Sequence, residues 1–208
     1  PSGAGKSTLV SLLPRFADPT AGVVRLDGVD LRTLRLAALR GAIGMVLQPP
    51  MVLPLSVHEN IAYGRPQASR AEVETAARLA QAHDFIARLP AGYDTLVGEQ
   101  GATLSEGERL RLTIARALLR QAPILVFDEP TAALDAATEA ALLAGLEALM
   151  RGRTVIVIAH RLRTVMGADR IVVLDGGRLV EQGPPAELLR RGGRFARLHA
   201  AQLGGAEG

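Results

Sequence analysis

The chain contains no cysteine and no tryptophan, and aromatic residues make up only 3% of its 208 positions. Without thiols there is no disulfide and no thiolate-held metal; this is compatible with a reducing compartment and does not establish one. With so few rings, the interior has to be filled by aliphatic side chains. No apolar run approaches the roughly 20 residues of a membrane-spanning helix. Neither a signal-peptide pattern nor an initiator methionine is visible. Lysine is almost missing too: of the 24 lysines and arginines, only Lys6 is lysine. The net charge of +3 and a pI near 10.1 raise the question of nucleic acid. The arginines, however, are scattered singly or in pairs along helical stretches, the pattern of a solvated face. No nucleic-acid partner is expected.

Hydrophobic residues make up 48% of the chain. A chain of this length is one domain, or a domain with a subdomain, and can bury about 70% of its unfolded surface. The lone lysine lies in Pro1-Ser2-Gly3-Ala4-Gly5-Lys6-Ser7-Thr8, which matches the end of the phosphate-binding pattern G-x-x-x-x-G-K-[ST]. In such a loop the backbone N–H groups cradle phosphates, and the following helix adds its positive end. A compact ammonium suits the crowded turn better than a planar guanidinium. Ser2 to Thr8 are therefore candidate phosphate-binding residues, with the Ser7 hydroxyl offered to Mg²⁺. The pattern's first glycine would precede Pro1, so the chain is expected to be incomplete at its N-terminus.

Hydrophobic periodicity predicts a helix from Lys6 to Leu13, a short strand over 22–28 ending in an Asp-Gly turn, and a helix over 34–40. A buried strand over 43–47 ends at Gln48. A helical pattern runs over 58–89, loop over 90–103, and a strong helix over 106–120 with Leu110, Ile114, Ala117 and Leu118 on one stripe. Then come three unbroken apolar runs: 124–127, 154–158 and 171–174. Such runs predict strands buried on both faces, hence a parallel α/β sheet. Helices are expected over 136–150, 161–166, 185–190 and 194–202, with a Gly176-Gly177 hairpin to residues 179–181. The expected organisation is an α/β core over 1–48 and 122–208, interrupted by a helical subdomain over 49–121.

Asp128 and Glu129 stand at the C-terminal end of a buried strand, the ligand end of an open α/β sheet. Asp128 is placed to hold Mg²⁺ and Glu129 to activate a water. Taken alone, Asp-Glu-Pro is equally a strand end and a helix cap. His160 and Gln48 also end strands, where His160 can hydrogen-bond a γ-phosphate and Gln48 can reach Mg²⁺ and water. Asp135 is at least a helix cap. Ser105 and Glu108 form a capping-box pattern at a helix start that is also an anion site.

In this order, these motifs resemble the nucleotide-binding domain of an ATP-binding cassette (ABC) transporter across essentially the whole chain. The resemblance implies the P-loop NTPase (RecA-like) fold with an inserted helical subdomain, and ATP with Mg²⁺ as cofactors. It also implies a head-to-tail dimer in which Ser105, Gly107 and Glu108 face the partner's ATP and Asp135 lies in a dimer loop. Segments 59–64, 92–99 and 194–199 are similar to the exporter subclass. There a transmembrane domain, expected to be fused upstream, meets the segment 95–101 at the cytoplasmic face of a membrane. Two departures stand out. Glu106 and Glu108 replace the usual Gly and Gln of Leu-Ser-Gly-Gly-Gln, so Glu106 has to point away, pair with an arginine such as Arg109, or impair the site. The family's adenine-stacking aromatic is also not visible. The alternatives are a soluble ABC ATPase, which would carry a coiled coil, zinc cysteines or tandem cassettes; a P-loop GTPase, which would need a second lysine; and a non-hydrolysing regulatory cassette.

Overall fold

Three helix starts are written locally. Ser56, Ser69 and Ser105 each accept from the backbone N–H three residues on, and Glu59, Glu72 and Glu108 reach back to the serine's own N–H. These reciprocal pairs satisfy donors that a helix start otherwise leaves open. They begin α3 (Val57–Ala62), α4 (Arg70–Leu79) and α6 (Glu106–Leu119).

The computed structural model describes residues 4–98, 101–128, 150, 152–159 and 165–204. They pack as two units, Pro1–Thr33 with Val157–Gly208, and Leu34–Ile156. Residues 136–149 and 161–164 of the two helices expected over 136–150 and 161–166 lie outside the described residues.

The second unit contains α2 (Leu36–Gly41), β3 (Ile43–Val46), α3, α4, α5 (His83–Ala87), α6 and β4 (Ile124–Asp128). Strands β3 and β4 pair in parallel, Ile43 opposite Ile124 through Val46 opposite Phe127. The sheet order is β3–β4–β5, with β5 at Thr154–Ile158. Leu125, Val126 and Phe127 are all buried, so β4 is covered on both faces, as its unbroken apolar run requires. Helix α6 packs on β3, α3 and α4. It buries Leu112, Thr113, Ala115 and Leu119 besides the expected stripe, so it is enclosed on more than one side. The single helical pattern over 58–89 is in fact three helices. Gly64 and Pro66 interrupt it, and Ser69 restarts it. A 3₁₀ turn, Gly92–Asp94, lies in the expected loop.

In the first unit, α1 is Lys6–Ser11, two residues shorter than expected. The expected strand over 22–28 is half of a hairpin, β1 (Arg25–Leu26) against β2 (Val29–Asp30). Its turn residues Asp27 and Gly28 both have positive φ, 49° and 82°, as a tight hairpin demands. The run 171–174 is not a strand buried on both faces. It forms β6 (Ile171–Asp175), paired antiparallel with β7 (Arg178–Gly183). Ile171 and Val173 point into a small core with Leu188 and Phe195, while Val172 is exposed. This alternation follows the period of two along a strand. Leu188 belongs to α7 (Pro185–Arg190) and Phe195 to α8 (Arg194–Gly204). The Glu181 carboxylate accepts from the N–H groups of Arg194 (2.5 Å) and Phe195 (3.0 Å), anchoring the start of α8. Those two bonds hold its pKa below the usual carboxylate range. The fit requires glycine at 193, where a Cβ would lie 1.9 Å from Glu181 Oε1.

Candidate nucleotide-binding site

The chain enters α1 through Gly5, which has φ 84° and ψ 12° and caps the helix without a side chain. A residue with a Cβ would be strained in this conformation. Among the described residues, a Cβ there would meet nothing within 4 Å. The first turn carries no acidic residue, so no carboxylate competes for the helix's positive end. Ala4 is buried, Lys6 half-buried, and Ser7 and Thr8 exposed. These features fit a phosphate group. Ser2 and Gly3 lie outside the described residues.

Gln48 and Asp128 belong to the second unit. The register places both at the C-terminal ends of two adjacent parallel strands, each half-buried. The Asp128 carboxylate, the Gln48 amide oxygen and the Ser7 hydroxyl are hard oxygen donors, the kind Mg²⁺ takes. Among the described residues no three His, Cys, Asp or Glu side chains gather into a metal cluster. Mg²⁺ does not need one, since it usually keeps several waters and substrate phosphates as ligands. Glu129, Asp135 and His160 lie outside the described residues.

At the start of α6, Glu108 Oε2 accepts from the Ser105 N–H at 2.9 Å and from the Ser105 hydroxyl at 2.8 Å. The hydroxyl accepts in turn from the Glu108 N–H at 3.3 Å. The one proton that Ser105 can donate is therefore directed at Glu108. Glu106 is exposed and, among the described residues, makes no ion pair. The Arg109 guanidinium turns instead to the Leu104 carbonyl at 3.0 Å, and Arg111 lies over the Phe85 ring at 5.2 Å. Pairing of Glu106 with Arg109 is not realised.

The 92–99 motif acquires a structural meaning. Burial pushes the Tyr93 hydroxyl up to about 12, and that hydroxyl lies 2.9 Å from His83 Nδ1. Arg70 stacks on the ring at 4.8 Å while pairing with Asp94 at 2.8 Å. The segment this fixes runs on to Thr95, whose carbonyl accepts from the Val57 N–H at 3.0 Å, and to Val97, whose N–H reaches the Leu55 carbonyl at 3.0 Å.

Two polar residues escaped the sequence reading. Asn60 is fully buried; its Oδ1 accepts from the Leu53 N–H, and its Nδ2 donates to the carbonyls of Leu53, Leu55 and Ser56. Arg116 of α6 donates from Nε to the Asn60 carbonyl (2.7 Å), from Nη2 to Asn60 Oδ1 (2.9 Å) and from Nη1 to the Met51 carbonyl (3.1 Å). Burial pushes its pKa down. A signal was available: Asn60 shares an inward helix face with Val57 and Ile61, and Arg116 lies between buried Ala115 and Ala117.

The ABC transporter family matches residues 1–132, and the chain belongs to it. A bacterial Atm1-family ABC exporter with ATP bound is 52% identical and matches at a TM-score of 0.93, covering 97% of this chain and 35% of that one. An ATP-dependent lipid A-core flippase of Thiobacillus denitrificans is 52% identical over 203 residues, 97% of this chain and 35% of the flippase. The mitochondrial potassium channel ATP-binding subunit of Homo sapiens is 54% identical over 198 residues, 95% of this chain and 27% of that protein. The chain is thus a nucleotide-binding domain of the exporter type, built on the P-loop α/β fold, and spans about a third of the length of the curated relatives it matches. No helix among the described residues is long and apolar enough to cross a membrane.

Proposed function

We propose that this domain hydrolyses ATP to drive an exporter-type membrane transporter. One observation carries the reading: a chain with the Lys6 loop, the Asp128-Glu129 pair and the Ser105 helix start is 52% identical, at a TM-score of 0.93, to an exporter with ATP bound. Lys6 neutralises phosphate charge and the loop N–H groups orient the phosphates. Ser7, Gln48 and Asp128 would hold Mg²⁺ through their oxygens, and the ion would supply neutralisation of phosphate charge. The Glu129 carboxylate takes the proton of the attacking water, and His160 and Gln48 sense the γ-phosphate. The helical part over 49–121 carries Ser105, Gly107 and Glu108 to the ATP of a second nucleotide-binding domain in a head-to-tail dimer, with Asp135 at the dimer loop. The relatives' greater length supports a fused transmembrane domain, which would hold this domain at the cytoplasmic face of a membrane. Relatives of similar identity have names as different as a lipid flippase and a potassium channel subunit, so the cargo is chosen outside this chain.

Glu129→Gln in the full-length protein is expected to keep ATP binding and to lower turnover about 10²-fold or more, the scale of a lost general base. Wild-type turnover in that variant would remove Glu129 from the mechanism. A non-hydrolysing regulatory role is favoured by one observation, the closed Ser105–Glu108 box. A wild-type protein that binds ATP without releasing phosphate would establish that reading instead.

A further inference from the structure

The segment Met51 to Ser56 begins three residues after Gln48 and has little regular structure of its own. It is nevertheless held at Met51, Leu53, Leu55 and Ser56. Asn60 takes up the Leu53 N–H and the carbonyls of Leu53, Leu55 and Ser56. The same segment pairs across to Leu96 and Val97 through an antiparallel bridge at Ser56 and the Val97 N–H to Leu55 carbonyl bond. Arg116 then ties it to α6, since all three guanidinium nitrogens are spent on Met51 and Asn60.

Arg116 is also unusual chemically. Among the described residues its acceptors are carbonyl oxygens, with no carboxylate among them, and its face lies 5.8 Å from the Tyr63 ring. A largely buried cation with no paired anion among the described residues costs stability, so it is a poor choice if packing were all that the position needed. A lysine could not replace it. The three acceptors are spread over three nitrogens of a planar fork, and an ammonium presents its donors from one point. The approach of the two helices is equally specific. At Gly64, just past the end of α3, a Cβ would stand 2.6 Å from the Arg116 carbonyl oxygen.

We propose that Arg116 and Asn60 are positioning residues for ATP hydrolysis: they fasten the segment following Gln48, and through it the 95–97 segment, to the helix that starts at Ser105. This rests on the ATPase reading. Displacement of Gln48 is then passed along as movement of one body carrying Ser105 and the 95–97 segment, because the side chains that join that body, Asn60 and Arg116, are each fixed by several hydrogen bonds. Arg116 acts through Gln48 and Ser105 and does not touch nucleotide. Loosening it should slow the productive step and leave the strength of nucleotide binding alone.

The test is steady-state ATP hydrolysis by the full-length protein, as wild type, Arg116→Lys, Gly64→Ala, Gln48→Ala and the Arg116→Lys/Gln48→Ala double variant. Gly64→Ala leaves both polar side chains intact and only pushes the helices apart. Arg116→Lys and Gly64→Ala are each expected to lower kcat roughly tenfold while KM for ATP stays within about twofold, the size of a perturbed coupling network. In the double variant Arg116→Lys should cost almost nothing beyond Gln48→Ala, since both act on one step. Losses that multiply would overturn the inference, as would an unchanged kcat in both single variants. Failure of both to fold would assign the cluster to stability alone and overturn it as well. Absence of ATP hydrolysis by the wild type would sink the ATPase reading and this inference together.

Discussion

Glu108→Gln and Glu108→Ala separate two roles of a single carboxylate. In the structure one oxygen, Oε2, accepts from both the N–H and the hydroxyl of Ser105. A glutamine can put its amide oxygen in the same place, so both bonds survive without the charge. What is lost is the attraction of the charge to the helix's positive end, about 0.3–1 kcal/mol for a partly exposed group. Alanine removes the charge as well as both bonds and returns the Ser105 N–H to water, a cap loss of about 1–1.5 kcal/mol on top of the charge. With a factor of ten per 1.4 kcal/mol, local opening should rise about two- to fivefold for glutamine and about eight- to sixtyfold for alanine. Hydrogen exchange of a peptide covering residues 104–110, compared in the full-length protein and both variants, reads these factors directly. Equal acceleration by glutamine and alanine would mean that charge, not oxygen geometry, holds the helix start. No acceleration in either would refute the box as a stabilising device.

Glu106→Gly is expected to leave ATPase nearly unchanged, with a helix cost of up to about 1 kcal/mol; a large gain that fades as salt rises would show that this exposed carboxylate faces phosphate. Gly193→Ala should expel the Glu181 carboxylate from the start of α8, seen as lost amide protection at Arg194 and Phe195; retained protection would refute the steric argument. The same anchor has a defined pH behaviour. Because the folded pKa of Glu181 is depressed by the N–H groups of Phe195 and Arg194, its contribution is present above the ordinary glutamate range and is lost as pH falls through the depressed value. Glu181→Gln should flatten that acid-side loss of protection, and an unaltered pH profile would count against it.

What could be read from the sequence was whatever chemistry is local. The Lys6 loop, the Ser105–Glu108 box, the apolar β4 run and the extent of α7 all depend on neighbours within a few positions. The two other Ser-x-x-Glu starts at Ser56 and Ser69 were equally local, but a continuous helical period over 58–89 hid them. The β6 run was misread for a different reason. Ile171 to Leu174 is as apolar as β4, but only the face of Ile171 and Val173 is covered, by Leu188 and Phe195, and Val172 is left exposed. The burial of Asn60 and Arg116 had a local signal, but their link did not: Arg116 reaches Asn60 and Met51 across more than fifty positions, which no window of sequence contains.

The three capping boxes also bear on how the chain reaches its fold. Each closes over three residues, so each can form while the rest is still unfolded. The β3–β4 pairing instead joins residues roughly eighty positions apart, and such closure is entropically slow until the intervening chain shortens. Helices α3, α4 and α6, begun early at their own serines, contract that loop before the strands need to meet. During synthesis the polypeptide between β3 and β4 would then emerge partly wound, and the wait for β4 would be spent with less bare aliphatic surface open to aggregation.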